Sequence, residues 1–305
     1  VARFDRTYRL LVGRTGGKGL EIVPPIRITF EIDKDASEQP NPHKIRIYNL
    51  KPETRRSIEV PDTRCVLYAG YAEEDGPILM AAGAVTFGYT YFDGPDVVTE
   101  LEVRDGYVEV RDTAVSLGYG AGASAKRIVS DVARQMGLPL IMADDVPERT
   151  WQHGFSFYGP ARQALHKVVQ GTGLEWSIQN QTLQVVPKRG TTRRQAVVLA
   201  ADSGLIGYPE RTREGAREKA RVKDERTGKR ANLVSAAQQR DGWRVKSLLL
   251  PMINPGDPVK LESRSTEGIY RAESVKHTGD SEGGDWQTEL ELVDRDAPPK
   301  QKKGK

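Results

Sequence analysis

The chain has 305 residues, 37% apolar and 29% charged; this is a soluble composition, and it exceeds what one hydrophobic core usually organises, so two or three domains are expected. No apolar run approaches the roughly 20 residues needed to cross a bilayer. The start, Val1-Ala2-Arg3-Phe4-Asp5-Arg6, lacks the apolar core of a signal peptide, so the expectation is a chain kept in a cytoplasm-like compartment until it is assembled or released. The formal net charge of +4 is unevenly placed: residues 217–230 hold seven cations against three anions, Lys300, Lys302, Lys303 and Lys305 add four more, and the remainder is mildly acidic. A nucleic-acid reader usually spreads its cations over one docking face, so a dedicated DNA-binding domain is disfavoured. The single cysteine, Cys65, excludes an intrachain disulfide and a multi-cysteine metal site. It sits in Arg64-Cys65-Val66-Leu67-Tyr68, a strand-like run that places it as a buried thiol.

From residue 7 to about 117 the signals are β. Thr7-Tyr8-Arg9-Leu10-Leu11-Val12 and Leu20-Glu21-Ile22-Val23 flank a glycine-rich tip, predicting a hairpin. Ile26-Arg27-Ile28-Thr29-Phe30-Glu31-Ile32 and Lys44-Ile45-Arg46-Ile47-Tyr48 alternate apolar and polar residues, as half-buried strands do. The polar stretch 33–42 between them reads as a loop. Lys51-Pro52 opens a short helix to Ile58. Strands are then predicted at 65–71, 78–91 and 97–110, the last running through Tyr107-Val108-Glu109-Val110. So many strands at short spacing argue a barrel or sandwich.

Residues 122–187 have a different rhythm. Ser124 caps a predicted helix with Ile128, Val132 and Met136 on one stripe and Gly137 at its stop. Strands follow at 138–142 and 155–157. Gly159-Pro160 opens a second helix, with Ala161, Ala164, Leu165, Val168 and Val169 inward and Gly171 at its end. A hairpin over 174–186 turns at Gln179-Asn180-Gln181. The order α-β-β-α-β-β makes a small split α+β module.

From 196 the chain is β again. The two β regions do not align as a plain repeat. The basic stretch 216–242 is either an exposed β-hairpin around Thr227-Gly228 or a mobile loop. Asn254-Pro255-Gly256-Asp257-Pro258 leads into Val259-Lys260-Leu261, then Gly268-Ile269-Tyr270-Arg271, then His277-Thr278-Gly279-Asp280 to Asp285-Trp286 and Leu290-Glu291-Leu292. This reads as short strands joined by tight turns.

Catalytic and ligand motifs are scarce. The tip Gly13-Arg14-Thr15-Gly16-Gly17-Lys18-Gly19 has neither the spacing of a phosphate loop nor a following helix. His43, His153, His166 and His277 lie far apart in sequence, without a second ligand type at a metal spacing. Asp280 to Asp285 is half the length of a calcium loop and reads as a β-turn whose carboxylates cap backbone N–H groups, with His277 and Trp286 packed across the strand pair. Glu148 and Glu175 fall in the α+β module with nothing to pair them at a glycosidase distance. No catalytic residue, cofactor or metal is therefore assigned.

The 254–292 run resembles the last barrel of tail baseplate hub proteins of contractile-tailed phages, the late-control-protein-D family. A second similarity lies at Ser203-Gly204-Leu205-Ile206-Gly207-Tyr208-Pro209, and the α+β module between two barrels is also similar. The basic stretch departs from the family pattern. The resemblance implies a mainly β fold of two tube-like antiparallel β-barrels and a small α+β module: a first barrel over 1–120, the module over 121–190, a second barrel over 191–297 with the insertion 216–242, and a basic tail over 298–305. It implies a structural homotrimer that adapts a six-fold tail tube to a three-fold spike and leaves a lumen for DNA. Its partners would be the tail tube protein, the spike protein and other baseplate proteins, with the tape measure protein a further candidate, and its place the virion baseplate after assembly in the host cytoplasm. Gly204, Gly207, Pro209, Pro255, Gly256, Gly268, Tyr270, His277, Gly279, Asp280, Asp285 and Trp286 carry the turn and family motifs. Arg217, Lys219, Arg221, Lys223, Lys229, Arg230, Lys302 and Lys303 are the candidate partner contacts. A hub of a type VI secretion-like machine, a tail-tip cell-wall hydrolase and a nucleic-acid-binding module are the alternatives.

Overall fold

The computed structural model describes residues 5–14, 16–17, 19–74, 76–143, 146, 148–188, 190–192, 195–214, 221–223, 230–232 and 240–294. The first barrel consists of β1 (Arg6–Gly13), β2 (Leu20–Ile22), β3 (Ile28–Asp35), β4 (Pro42–Tyr48), the helix α1 (Pro52–Ile58), β5 (Arg64–Tyr71), β6 (Gly76–Asp93) and β7 (Asp96–Arg104). The alternation of β3 is strict: Ile28, Phe30, Ile32 and Lys34 point inward and are buried.

The chain does not continue as a strand through Tyr107–Asp112, as its β-branched residues suggest, but forms the helix α2 there. Gly106 ends the strand in a left-handed turn at φ 65°. A Cβ at this position would lie 2.6 Å from Ile178 Cδ1, so both conformation and contact require glycine.

After α2 come β8 (Ala114–Tyr119), β9 (Ala123–Ser124), α3 (Ala125–Met136), β10 (Leu140–Met142), β11 (Thr150–Trp151), β12 (Phe155–Pro160), α4 (Ala161–Val169), β13 (Leu174–Gln179) and β14 (Thr182–Pro187). Ser124 accepts from the Arg127 N–H and Gly137 closes α3 at φ 70°. The strand β8 lies in the segment assigned by sequence to the first barrel, yet it pairs with β12, and Val115 and Leu117 join the core under α3 and α4. The module thus begins before residue 121, because β8 finds its partner there and not in the barrel.

The second barrel contains β15 (Val197–Ala200), a 3-10 turn (Ala201–Ser203), β16 (Leu205–Glu214), β17 (Arg221–Lys223), β18 (Arg230–Asn232), β19 (Arg240–Leu248), β20 (Pro258–Glu262), β21 (Glu267–Asp280) and β22 (Trp286–Asp294). Within the basic stretch β17 and β18, three residues each, pair antiparallel; residues 216–220, 224–229 and 233–239, with the expected tip at Thr227-Gly228, lie outside the described residues. The fold is mainly β with an α+β insert. The barrels are not separate bodies, however. They share one 13-stranded sheet ordered β16-β19-β22-β21-β3-β4-β7-β6-β5-β1-β2, with β20 beside β21 and β15 beside β20.

That order contains a repeat. The first barrel runs β1-β5-β6-β7-β4-β3 and the second β15-β20-β21-β22-β19-β16, so each strand has a counterpart of the same rank in chain order. The counterparts differ at one ladder: β1 is antiparallel to β5, whereas β15 is parallel to β20.

Candidate assembly site at the seam of the two barrels

The strand β21 makes the seam by changing partners along its length. Its first half pairs with β20, from Glu267 to Arg271; after a bulge at Glu273 its second half pairs with β3, from Ser274↔Asp35 to Asp280↔Thr29. β22 lines its other edge from Tyr270 to Gly279. A bulge turns the strand and re-aims its edge, and this one lets a single strand serve two barrels.

Below the seam the core face is polar where the three units meet. Lys34, only 2% exposed, donates to Asn254 Oδ1 of the second barrel at 2.8 Å and to Asn180 Oδ1 of the module at 3.1 Å. Asp105, fully buried, accepts from the backbone N–H groups of Asn180 and Gln181, the latter at 3.0 Å. Those two residues form the β13–β14 turn with φ 51° and 60°, a left-handed pair that lacks the usual glycine. The carboxylate holds that turn. Burial pushes the Asp105 carboxyl up to about 7, against the pull of these N–H groups and of Lys34.

Arg271, 1% exposed, is the clamp from the second barrel to the module. It donates to Glu175 on β13 and to the Lys188 carbonyl oxygen at 2.8 Å, and lies 3.2 Å from Glu273. Arg64 does the same from the first barrel, donating to Glu109 and, at 3.0 Å, to Gln181 Oε1. Buried charges are tolerable only when paired in this way.

His43 and His277, far apart in sequence, flank the same residue: both are register partners of Ile32, one on each side. Both are buried. Burial, reinforced by the Lys34 charge, lowers His43 to about 3 and holds His277 well below its usual range. The cross-strand neighbour of His277 is Thr288, whose Oγ1 lies 2.9 Å from Nδ1, and not Trp286. Trp286 faces Gly279 and packs edge-on against Phe30 at 5.2 Å. Glycine is needed here by space, since a Cβ on Gly279 would lie 2.2 Å from the Phe30 ring. Gly279→Ala is expected to lower stability by about 1–3 kcal/mol through overpacking; an unchanged urea midpoint would show that the ring has room to move.

The solvent face of the seam is a lattice of alternating charge. Lys246, Glu289, Lys276 and Asp33 stand side by side on four neighbouring strands, with Lys246–Glu289 at 2.9 Å and Lys276–Asp33 at 3.7 Å. Arg244–Glu291 lies at 2.9 Å. Exposed pairs of this kind contribute about 0–1 kcal/mol each; their larger effect is to fix register, since a one-residue slip would invert every face. A cleft of about 320 Å³ above the seam is lined by Asp33, Asp35, Arg244, Lys276, Glu289 and Glu291 among others.

The motif residues do not converge on one site. Gly204, Gly207 and Pro209 lie at or in β16, with Gly204 at φ 102° and Gly207 at φ 71°. Pro255 and Gly256 form the turn before β20, where the Gly256 N–H donates to the Ala272 carbonyl oxygen at 2.8 Å. Gly268 and Tyr270 lie on the first half of β21, and the Tyr270 hydroxyl is 2.9 Å from Thr266 Oγ1. Asp280 receives two bonds from Arg27, at 2.7 and 3.2 Å, and accepts the Glu282 N–H at 3.0 Å; the Asp285 carbonyl oxygen accepts the Asp280 N–H. Arg217, Lys219, Lys229, Lys302 and Lys303 lie outside the described residues, while Arg221 and Lys223 fall in β17 and Arg230 in β18. Glu148 is exposed and Glu175 is bound by Arg271. Among the described residues no group of three or more His, Cys, Asp or Glu is placed to hold a metal.

Sequence reading missed Lys34, Asp105 and Arg271. The signal for Lys34 was present: it occupies an inward position of a strictly alternating strand.

No family model matches the sequence, and no curated protein matches it. Solved structures do. The 43 kDa tail protein of prophage MuSo2 from Shewanella oneidensis superposes with a TM-score of 0.60 over 94% of this chain and 97% of that one, at 13% identity. The chain has the fold of phage tail proteins. A tail protein from Neisseria meningitidis gives the same TM-score, 0.60, over 94% and 96% at 14% identity. A component of the Escherichia coli type VI secretion system, described as similar to the T4 bacteriophage tail proteins gp27 and gp5, gives 0.57 over 88% of this chain and 74% of that one at 10% identity. The tail-protein fold therefore spans both barrels and the module together.

Proposed function

We propose that the chain is a structural subunit of a contractile phage tail baseplate, a hub whose homotrimeric ring adapts the six-fold tail tube to the three-fold spike and encloses a lumen for DNA. The observation that carries this reading is the repeat: two barrels of the same strand order, joined edge to edge in one sheet. A subunit with two equivalent barrels gives a three-fold ring six quasi-equivalent positions, which is what a six-fold tube on one side and a three-fold spike on the other demand. The full-length likeness to two tail proteins supports the same reading.

The role is architectural and not enzymatic. Its partners are further copies of itself, the tail tube protein, the spike protein and neighbouring baseplate proteins, with the tape measure protein a further candidate. DNA passes through the lumen without sequence-specific contacts. The motif residues from Gly204 to Trp286 set turns and strand edges, and the basic residues of 217–230 and the tail meet acidic neighbours. The likeness to a type VI secretion component favours, as a second reading, the equivalent position in a secretion spike.

The test is the mass of the purified chain in solution by light scattering, alone and with a candidate spike protein, followed by electron-microscopic class averages. A trimer with six lobes and an open centre is expected. A chain that stays monomeric with the spike present overturns the ring.

A further inference from the structure

The two barrels match beyond strand order. When β7 is laid on β22 by their registers with β6 and β21, Thr99-Glu100-Leu101-Glu102 falls on Thr288-Glu289-Leu290-Glu291, the same four residues. Opposite them, Lys44-Ile45-Arg46 of β4 falls on Arg244-Val245-Lys246 of β19. The ion pair Arg46–Glu100 corresponds to Lys246–Glu289. The Thr90–Thr99 contact at 3.1 Å corresponds to that of His277 with Thr288.

The equivalence exposes one unmatched pairing. In the second barrel β21 bulges after Ala272, and its half beyond the bulge receives β3 on the edge away from β22. In the first barrel β6 bulges after Val85, at the equivalent place. Its half beyond the bulge, 87–93, has β7 on one edge and no strand on the other among the described residues. The core face of this half is covered, since Glu59 at the end of α1 packs on Gly88 and accepts from Thr90. What remains open is the hydrogen-bonding edge. The counterpart of β3 is β16, and β16 pairs only with β19 among the described residues, leaving its outer edge open too.

From this repeat we infer that β16 of one copy adds antiparallel to residues 87–93 of β6 in the next copy, reproducing between chains the β3–β21 seam found within the chain. The inference rests on the ring proposed above and names the surface that closes it. Transferring the seam register sets Phe87 opposite Glu214, Tyr89 opposite Thr212 and Tyr91 opposite Glu210, with the bulge of β16 between Ile206 and Glu210 at the end of the ladder.

The side chains at the open edge of β6 differ from those at the internal seam. At the internal seam the outward positions of β21 are Ser274, Lys276 and Thr278; on β6 they are Phe87, Tyr89 and Tyr91, which stack at 5.4 and 5.7 Å between centroids. Phe87 is 54% exposed, and on β16 Ile206 is 42% and Tyr208 71% exposed. Aromatic groups at the open edge of β6, in place of the charges that usually protect such an edge, mark a pairing surface; the facing residues of β16, Glu210 to Glu214, are charged or polar, and Ile206 and Tyr208 lie past the end of the ladder. The contact is heterologous, so copies join head to tail and a ring closes when the rotation allows it.

The test is a double-cysteine full-length chain, Tyr91→Cys with Glu210→Cys. The native Cys65 is buried, with its thiol pushed up to about 12 by that burial, so it stays out of the reaction. After mild oxidation, most of the chain is expected to move from the monomer band to covalent dimer and trimer bands on a non-reducing gel. Each single variant should leave that ladder absent, with reduced melting curves matching the parent. Light scattering separates the two ways to fail. An oligomer in solution with no cross-linked ladder overturns the β16–β6 pairing and leaves the ring standing; a chain that stays monomeric with the spike present overturns the ring and the pairing with it.

Discussion

Replacing Arg271 by alanine is expected to cost about 3–5 kcal/mol, the loss that follows when one partner of a buried ion pair is removed. The guanidinium is 1% exposed and joins Glu175, Glu273 and the Lys188 carbonyl oxygen. Truncation withdraws it from two carboxylates and empties the space it fills between β21 and β13. The measurement is a urea unfolding curve. A second chain separates charge from packing: Arg271→Met with Glu175→Leu removes both charges while keeping volume, and should recover most of the loss, because an apolar replacement of a buried pair is often neutral. An alanine variant within about 0.5 kcal/mol of the parent, the range of ordinary surface substitutions, would show that the clamp is dispensable.

Acidification should destabilise the fold well before general acid denaturation, through His43 and His277. Both have folded values below the ordinary histidine value, His43 at about 3. Below roughly pH 6.5 the unfolded chain therefore binds two protons that the folded chain refuses. Stability is fully present above that pH and falls as pH drops toward 3. Asp105 acts in the opposite sense: with its folded value raised to about 7, it favours the folded state at low pH and loses that contribution as pH rises from about 4 to 7. Two histidines against one carboxyl leave a net uptake of one proton on unfolding between about pH 4 and 6.5. The expected slope is about 1.4 kcal/mol per pH unit. His43→Gln should flatten it; an unchanged slope in urea titrations from pH 4 to 7 would mean that the imidazole titrates freely in the folded chain.

What the sequence made legible was local. Alternation located β3 and β4, Ser124 and Gly137 bounded α3, and Pro52 opened α1. The pairing of β3 with β21 joins residues about 240 positions apart, and alternation tells which face a strand buries without naming its neighbour. The strand predicted through Val108 and Val110 failed because local β propensity there yields to a left-handed Gly106 packed against Ile178. The repeat was readable in the twice-occurring Thr-Glu-Leu-Glu. It was hidden by the basic stretch 216–242 and by the extra residues of the β16 bulge, which break any straightforward alignment. Of the candidate seam, Gly279, His277 and Trp286 were singled out beforehand, but as family-motif residues, with His277 and Trp286 packed across the strand pair beside a turn; the three-way polar junction required residues from all three units.

Because β21 contributes ladders to both barrels, neither barrel can melt alone. Disordering the first removes the partner of residues 274–280; disordering the second strips β3 of its outer neighbour and takes Leu249 and Trp286 from the first core. Thermodynamically the two barrels form one cooperative unit, although each has the size and core of an independent domain. A subunit built this way is either wholly competent to join an assembly or not at all, with no half-folded form that presents one finished edge.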